Sequence, residues 1–269
     1  MYPNLLALSQ EGNGYPLGVT STSGSSSNKG SWVQLSSGLA VPTFCFRNVC
    51  WGTDEYRYFF DLGIGSAGNE VVIAQDIMYA LDHGYWNFAY DGFTFPLYIP
   101  PNVRIAVRHK DSDSSARNLY HHFTFDGGYP GNPDMNMGIR KVIAYGVGSN
   151  RGTHLTAPTV NYTYGAWTEL SSGISEDAKG FLVIFSSDTA IDDGAGIWFS
   201  VGIGSSGNEE ELVGWMPATW NYYGYNTCSS SSFYFIKIKS GTRVSLRYMI
   251  HDVNKDVLNN VYAALYLGV

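Results

Sequence analysis

Gly63-Ile64-Gly65-Ser66-Ala67-Gly68 has the spacing Gly-x-Gly-x-x-Gly, which can cradle a dinucleotide pyrophosphate. That chemistry needs a helix after the glycines and an acidic residue about 20 positions on. Here a short apolar run up to Ile73 follows, so the element reads as a glycine-rich turn. His121-His122 with His109, Asp111 and Asp113 offer imidazole and carboxylate ligands for a metal. Neighbouring strand residues point to opposite faces, so the histidine pair is badly placed to share one ion. Asp188, Asp192 and Asp193 suggest calcium but lack the spaced oxygen series of a known cage, and they read as solvated loop carboxylates. No Gly-x-Ser-x-Gly elbow and no His-Glu-x-x-His motif occurs. Paired carboxylates for glycoside cleavage come from distant strands, and with 23 acidic residues chance pairs arise easily. The expectation is a protein without enzymatic activity, cofactor or metal.

Two aromatic loops are the binding candidates: Tyr85-Trp86-Asn87-Phe88-Ala89-Tyr90-Asp91 and Trp220-Asn221-Tyr222-Tyr223-Gly224-Tyr225-Asn226. Aromatic faces beside Asn and Asp suit sugar rings, and the same composition suits a protein interface. Core or interface packing is the first reading for Tyr85, Trp86, Tyr90, Trp220, Tyr222, Tyr223 and Tyr225, and a glycan site the second.

The elements that would position such residues are stated twice. Gly63–Glu70 returns as Gly202-Ile203-Gly204-Ser205-Ser206-Gly207-Asn208-Glu209, identical at seven of eight positions, with an offset of 202 − 63 = 139. Arg104-Ile105-Ala106-Val107-Arg108 answers to Arg243-Val244-Ser245-Leu246-Arg247 at the same offset, and Trp32–Gly38 answers to Trp167–Gly173 at 135. Glu70 and Arg104 lie 34 apart, as do Glu209 and Arg243, which is the spacing of a duplicated ion pair or of two unrelated solvated charges. The repeat is far longer than a solenoid unit. It predicts one domain duplicated: residues 1–133 with a polar N-terminal arm, then 134–269. Gly65, Gly68, Gly204 and Gly207 are assigned structural roles with Gly63, Gly202 and the two Glu/Arg pairs.

Short β-like runs bounded by Gly, Pro, Asn and Asp fill each copy: Tyr56–Leu62, Phe93–Ile99, Arg104–Arg108 and Tyr120–Phe125, then Arg140–Val147, Gly180–Phe185, Gly196–Ile203, Glu211–Val213, Ser232–Lys239, Arg243–Tyr248 and Val261–Leu267. Ser21–Gly30 reads as a flexible loop or arm, with a first strand beginning near Val19. Residues 74–83 are the best helix candidate. Seven or eight strands per copy predict an all-β fold: two tandem β-sandwiches, jelly-roll-like.

Charged residues make up 14%, against roughly 25% in ordinary domains, and aromatics reach 15%. Such a surface is built for neutral contacts with protein or sugar. A net charge of −7 argues against a nucleic-acid partner. The sequence has no apolar run of membrane-spanning length and no cationic, apolar secretory start. Three cysteines, Cys45, Cys50 and Cys228, fit thiols made in a reducing cytoplasm better than a disulfide framework.

A strand running into Gly-Ile-Gly-x-x-Gly-x-Glu (Gly63–Glu70), then Phe95-Pro96-Leu97-Tyr98-Ile99-Pro100 ahead of Arg104-Ile105, resembles β-sandwich virion proteins of tailed bacteriophages. The second copy departs from it, with Ile236-Lys237-Ile238-Lys239-Ser240-Gly241 in place of the proline-rich segment. The resemblance implies a non-enzymatic virion component, a capsid decoration or a tail or collar part, made in the host cytoplasm. Its partners would be further copies of itself and other virion proteins. A receptor- or glycan-binding module for a host surface glycan is the alternative, and a polysaccharide-degrading enzyme the third reading.

Overall fold

The computed structural model describes residues 5–8, 10–12, 15–17, 19–24, 28–52, 57–80, 93–112, 115–126, 138–148, 152–187, 196–218, 228–251 and 261–269. Every element among them is a β-strand. The chain divides into two compact units, Met1–Ile143 with Gly268–Val269, and Ala144–Leu267. The first unit's break falls 143 − 133 = 10 residues beyond the expected boundary.

The first unit holds β1 (Leu5–Leu8), β2 (Gln10–Gly12), β3 (Tyr15–Leu17), β4 (Val19–Thr22), β5 (Val33–Ser36), β6 (Cys45–Gly52), β7 (Arg57–Ile64), β8 (Val71–Ala80), β9 (Phe93–Phe95), β10 (Ile105–Asp111) and β11 (Asn118–Asp126). The stretch read as a polar arm therefore carries four strands, and Ser21 and Thr22 belong to β4. β12 (Val142–Tyr145) runs on past the end of the unit and starts parallel to β8, through Val142 and Ala74. One sheet has the order β5-β10-β7-β8. The other has β11 paired with β6 and β6 with β9, while β1 and β4 share the far edge of β11.

The second unit holds β13 (Thr153–His154), β14 (Thr168–Ser171), β15 (Gly180–Ser187), β16 (Ile197–Ile203), β17 (Glu210–Ala218), β18 (Cys228–Ser230), β19 (Val244–Ile250) and β20 (Val261–Gly268). Its first sheet has the order β14-β19-β16-β17; in the second, β18 pairs with β15, β15 with β20, and β13 with β20. The run Ser232–Lys239 is not a strand; it makes two isolated bridges, Tyr234 to Phe181 and Ile238 to Ala178.

The residues predicted as a helix, 74–83, lie in or beyond β8, and 81–83 are outside the described residues. The cause is a β-bulge. Phe60 pairs with Ile77 and Leu62 with Ala74, so three steps on β8 face two on β7. The extra residue shifts the apolar positions to Ile73, Ala74, Ile77 and Met78, all buried, which is helical spacing on an extended strand. The same bulge sits 139 residues later, where Phe199 pairs with Met216 and Val201 with Val213. Its left-handed residue is Asp76 (φ 49°) in the first unit and Trp215 (φ 55°) in the second.

In each unit the two sheets meet through aromatic side chains. Phe60 of β7 packs edge-on against Phe123 of β11 at 5.9 Å, and Phe185 of β15 lies 4.7 Å from Phe199 of β16. Burying rings of this size stabilises each sandwich by about 2–3 kcal/mol apiece. The glycines of the repeated octapeptide have two separate causes. Gly65, Gly68, Gly204 and Gly207 hold positive φ in the turn after the strand. Gly63 and Gly202 instead lie under the rings of Trp32 and Trp167, and a Cβ on either would come within 2.7 Å of ring carbon Cη2. Gly63→Ala is therefore expected to lower stability by about 1–3 kcal/mol through displacement of Trp32. Urea denaturation measures this, and an unchanged midpoint would contradict the packing described.

Candidate functional site

The repeated Glu/Arg residues join turn to sheet within each unit. Arg104 Nη1 donates to Glu70 Oε1 at 2.7 Å and to Gly65 O at 3.3 Å, and its Nε donates to Gln34 Oε1. Arg243 does the same with Glu209 at 2.9 Å, Gly204 O at 3.1 Å and Glu169. Burial works to raise the Glu70 pKa; the hydrogen bond and charge of Arg104 and backbone N–H donors outweigh it, and the net shift is down. In both units the arginine thus ties the glycine turn to the sheet through its Nε and Nη1.

The outer face of each first sheet is where the two units part. In the first unit Tyr58 and Phe60 point inward to His109 and Phe123, so Phe59, Asp61 and Gly63 face outward. Asp61, 2% exposed, accepts from Lys29 Nζ at 2.8 Å, Arg108 Nε at 2.9 Å and the Asp76 backbone N–H at 2.9 Å. Lys29 also pairs with Asp76 at 2.7 Å, and Lys110 lies 3.6 Å from the same carboxylate. Burial would raise the pKa of Asp76, but Lys29 and Lys110 carry it below the ordinary aspartate value. Arg108 stacks on Trp32, 4.4 Å from the ring centre. Two carboxylates here share three cations, Lys29, Arg108 and Lys110.

At the corresponding positions the second unit carries uncharged residues, three of them aromatic. Phe59 becomes Trp198, Asp61 Ser200, Asp76 Trp215 and Lys110 Met249, all at offset 139, and Lys29 becomes Tyr164 at 135. Arg247, the counterpart of Arg108, lies over both Tyr164 (4.4 Å) and Trp167 (4.1 Å). Its carboxylate partner comes from the next strand: Glu211, the counterpart of Val72, takes Arg247 Nη2 at 3.0 Å and the Ser200 hydroxyl at 2.6 Å. The Ser200 hydroxyl and then the Arg247 guanidinium hold the Glu211 carboxyl below its usual range. The bulge N–H of Trp215 donates to Tyr164 Oη at 3.0 Å, where Asp76 used Asp61. Burial pushes the Tyr164 phenol up, so it keeps its proton. Trp198 lies against Gly196, and Trp215 meets it edge-on at 6.4 Å while remaining 63% exposed.

The core of the first unit holds a polar chain. Cys50 Sγ lies 3.3 Å from His121 Nδ1, His121 Nε2 2.8 Å from Ser21 Oγ, and Ser21 Oγ 2.6 Å from His109 Nδ1. All four residues are buried. Burial drives the His109 pKa down to about 4 and His121 well below the ordinary histidine value, so both rings are neutral at pH 7. The chain has the residue types of a Cys–His relay and lies wholly within the core. Asp111 takes the Ser23 hydroxyl nearby.

Among the sequence-derived candidates, His109 and His121 come together, while nothing is described of the His122 side chain. Asp113, Asp188, Asp192 and Asp193 lie outside the described residues. So do Tyr85, Trp86, Tyr90, Trp220, Tyr222, Tyr223 and Tyr225. Cys45 and Cys50 are present as thiols. No group of three or more metal-ligating side chains is gathered among the described residues. Sequence reasoning missed the Trp215 face, whose only signals were the repeated Trp32/Trp167 and Arg108/Arg247. Compared with known proteins, the chain matches no family model and no curated protein.

Proposed function

We propose that this chain is a non-enzymatic structural component of a tailed-phage virion, a capsid decoration or a tail or collar part, built as two jelly rolls from an internal duplication. The observation that carries it is which residues recur. Trp32/Trp167, Gly63/Gly202, Glu70/Glu209, Arg104/Arg243 and Arg108/Arg247 return at offsets of 135 and 139, and each makes its contacts inside its own unit. The repeat preserves a framework, while the faces mounted on it differ. The strand order supports the jelly-roll reading. β5-β10-β7-β8 lies over a sheet in which β4 and β6 flank β11 and β9 lies beside β6, an eight-strand arrangement shared with viral capsid domains. Low charge and abundant aromatic residues favour assembly with copies of itself and with other virion proteins. Sedimentation of the purified chain, alone and with its particle, is the test, and a strict monomer that leaves the particle untouched overturns the reading.

A further inference from the structure

We infer that the outer face of the β14-β19-β16-β17 sheet binds a neutral glycan, with the indole of Trp215 stacked on a pyranose ring. The inference does not rest on the virion reading.

The first ground is the backbone at Trp215. A bulky residue at φ 55° is an outlier, and such outliers persist where the surroundings impose them and cluster at ligand sites. The bulge itself does not call for tryptophan. The equivalent place in the first unit holds Asp76, a residue type that tolerates the left-handed region. Trp215 gains little burial in return, since it is 63% exposed on β17, at the end of the sheet order. An aromatic ring is thus held outward on a fixed support. The backbone N–H of Trp215 is tied to Tyr164, and Trp198 braces the ring edge-on.

The second ground is the chemistry around the ring. Arg247 and Glu211 neutralise each other, which favours an uncharged ligand over an anion or a cation. Both stay partly exposed, at 25% and 40% of their side chains, and so can take hydroxyl groups as donor and acceptor. Tyr164 Oη accepts the Trp215 N–H, and its own proton remains to be donated. A flat apolar ring bordered by a donor, an acceptor and a phenol complements a sugar, whose C–H face is apolar and whose rim is hydroxyl. A standard protein interface covers about 800 Å² per partner around a fully buried apolar core, whereas the exposed Trp215 indole is bordered by Arg247, Glu211 and Tyr164.

The test uses the full chain and a panel of neutral hexasaccharides of glucose, mannose and galactose, read by isothermal titration and by tryptophan fluorescence. At least one member is expected to bind saturably and to shift the tryptophan emission. Trp215→Asn suits the left-handed backbone, so its Tm should equal or exceed that of the parent chain while affinity falls at least about tenfold. Glu211→Gln, a second variant that keeps the ring, is expected to weaken binding less. A panel without saturable binding, or a folded Trp215→Asn chain that binds as tightly as the parent, overturns the proposal. Neither result bears on sedimentation with the particle.

Discussion

Asp61→Ser is expected to destabilise the first unit by about 3 kcal/mol, the scale of breaking a buried ion pair by removing one partner. The change takes the shared carboxylate from Lys29 and Arg108 and leaves the bulge N–H of Asp76 without its acceptor. For a domain of this size that corresponds to a fall in Tm of roughly 6–12 °C. The second unit shows how a serine is tolerated at the same place. There Glu211 supplies the carboxylate from the neighbouring strand, and Tyr164 accepts the bulge N–H. The triple change Lys29→Tyr, Asp61→Ser, Val72→Glu should therefore recover a large part of the loss. Thermal denaturation of the single and triple variants decides it. Equal Tm values for the two would show that the networks are not interchangeable.

Acidification is expected to weaken the first unit well before its carboxylates titrate. His109 has a folded pKa of about 4 because burial penalises its charged form, against about 6.5 in an unfolded chain. Between these values the unfolded state binds more protons, so stability is full above pH 6.5 and falls as pH drops towards 4. For His109 alone the loss from pH 7 to pH 5 is about 2 kcal/mol, and His121, shifted in the same direction, adds to it. Burial is the cause in both cases, so added salt should change the slope little. Chemical denaturation at pH 7, 6 and 5 checks this. A flat stability across that range would mean the rings are not held neutral.

The sequence made the all-β class and the repeated framework legible because both rest on local signals: turn glycines, alternating strands and fixed spacings. The Glu70–Arg104 spacing of 34 was readable for the same reason, since its double recurs intact. Residues 74–83 were misread because one extra residue in β8 changes a period of two into something close to a helix. The face around Trp215 was not readable in advance. Its members come from β16, β17, β19 and the segment ahead of β14, and only the register brings Trp198, Glu211, Trp215 and Arg247 together. The Cys50–His121–Ser21–His109 chain was hidden likewise, since it crosses between two sheets and its members are up to 100 residues apart.

Sedimentation velocity of the purified chain, alone and mixed with gradient-purified tailed-phage particles from its source, addresses the proposed virion role most directly. The account predicts self-association, or co-sedimentation with the particle at a fixed copy number that survives washing. A chain that sediments as a strict monomer and stays in the supernatant in the presence of particles contradicts it.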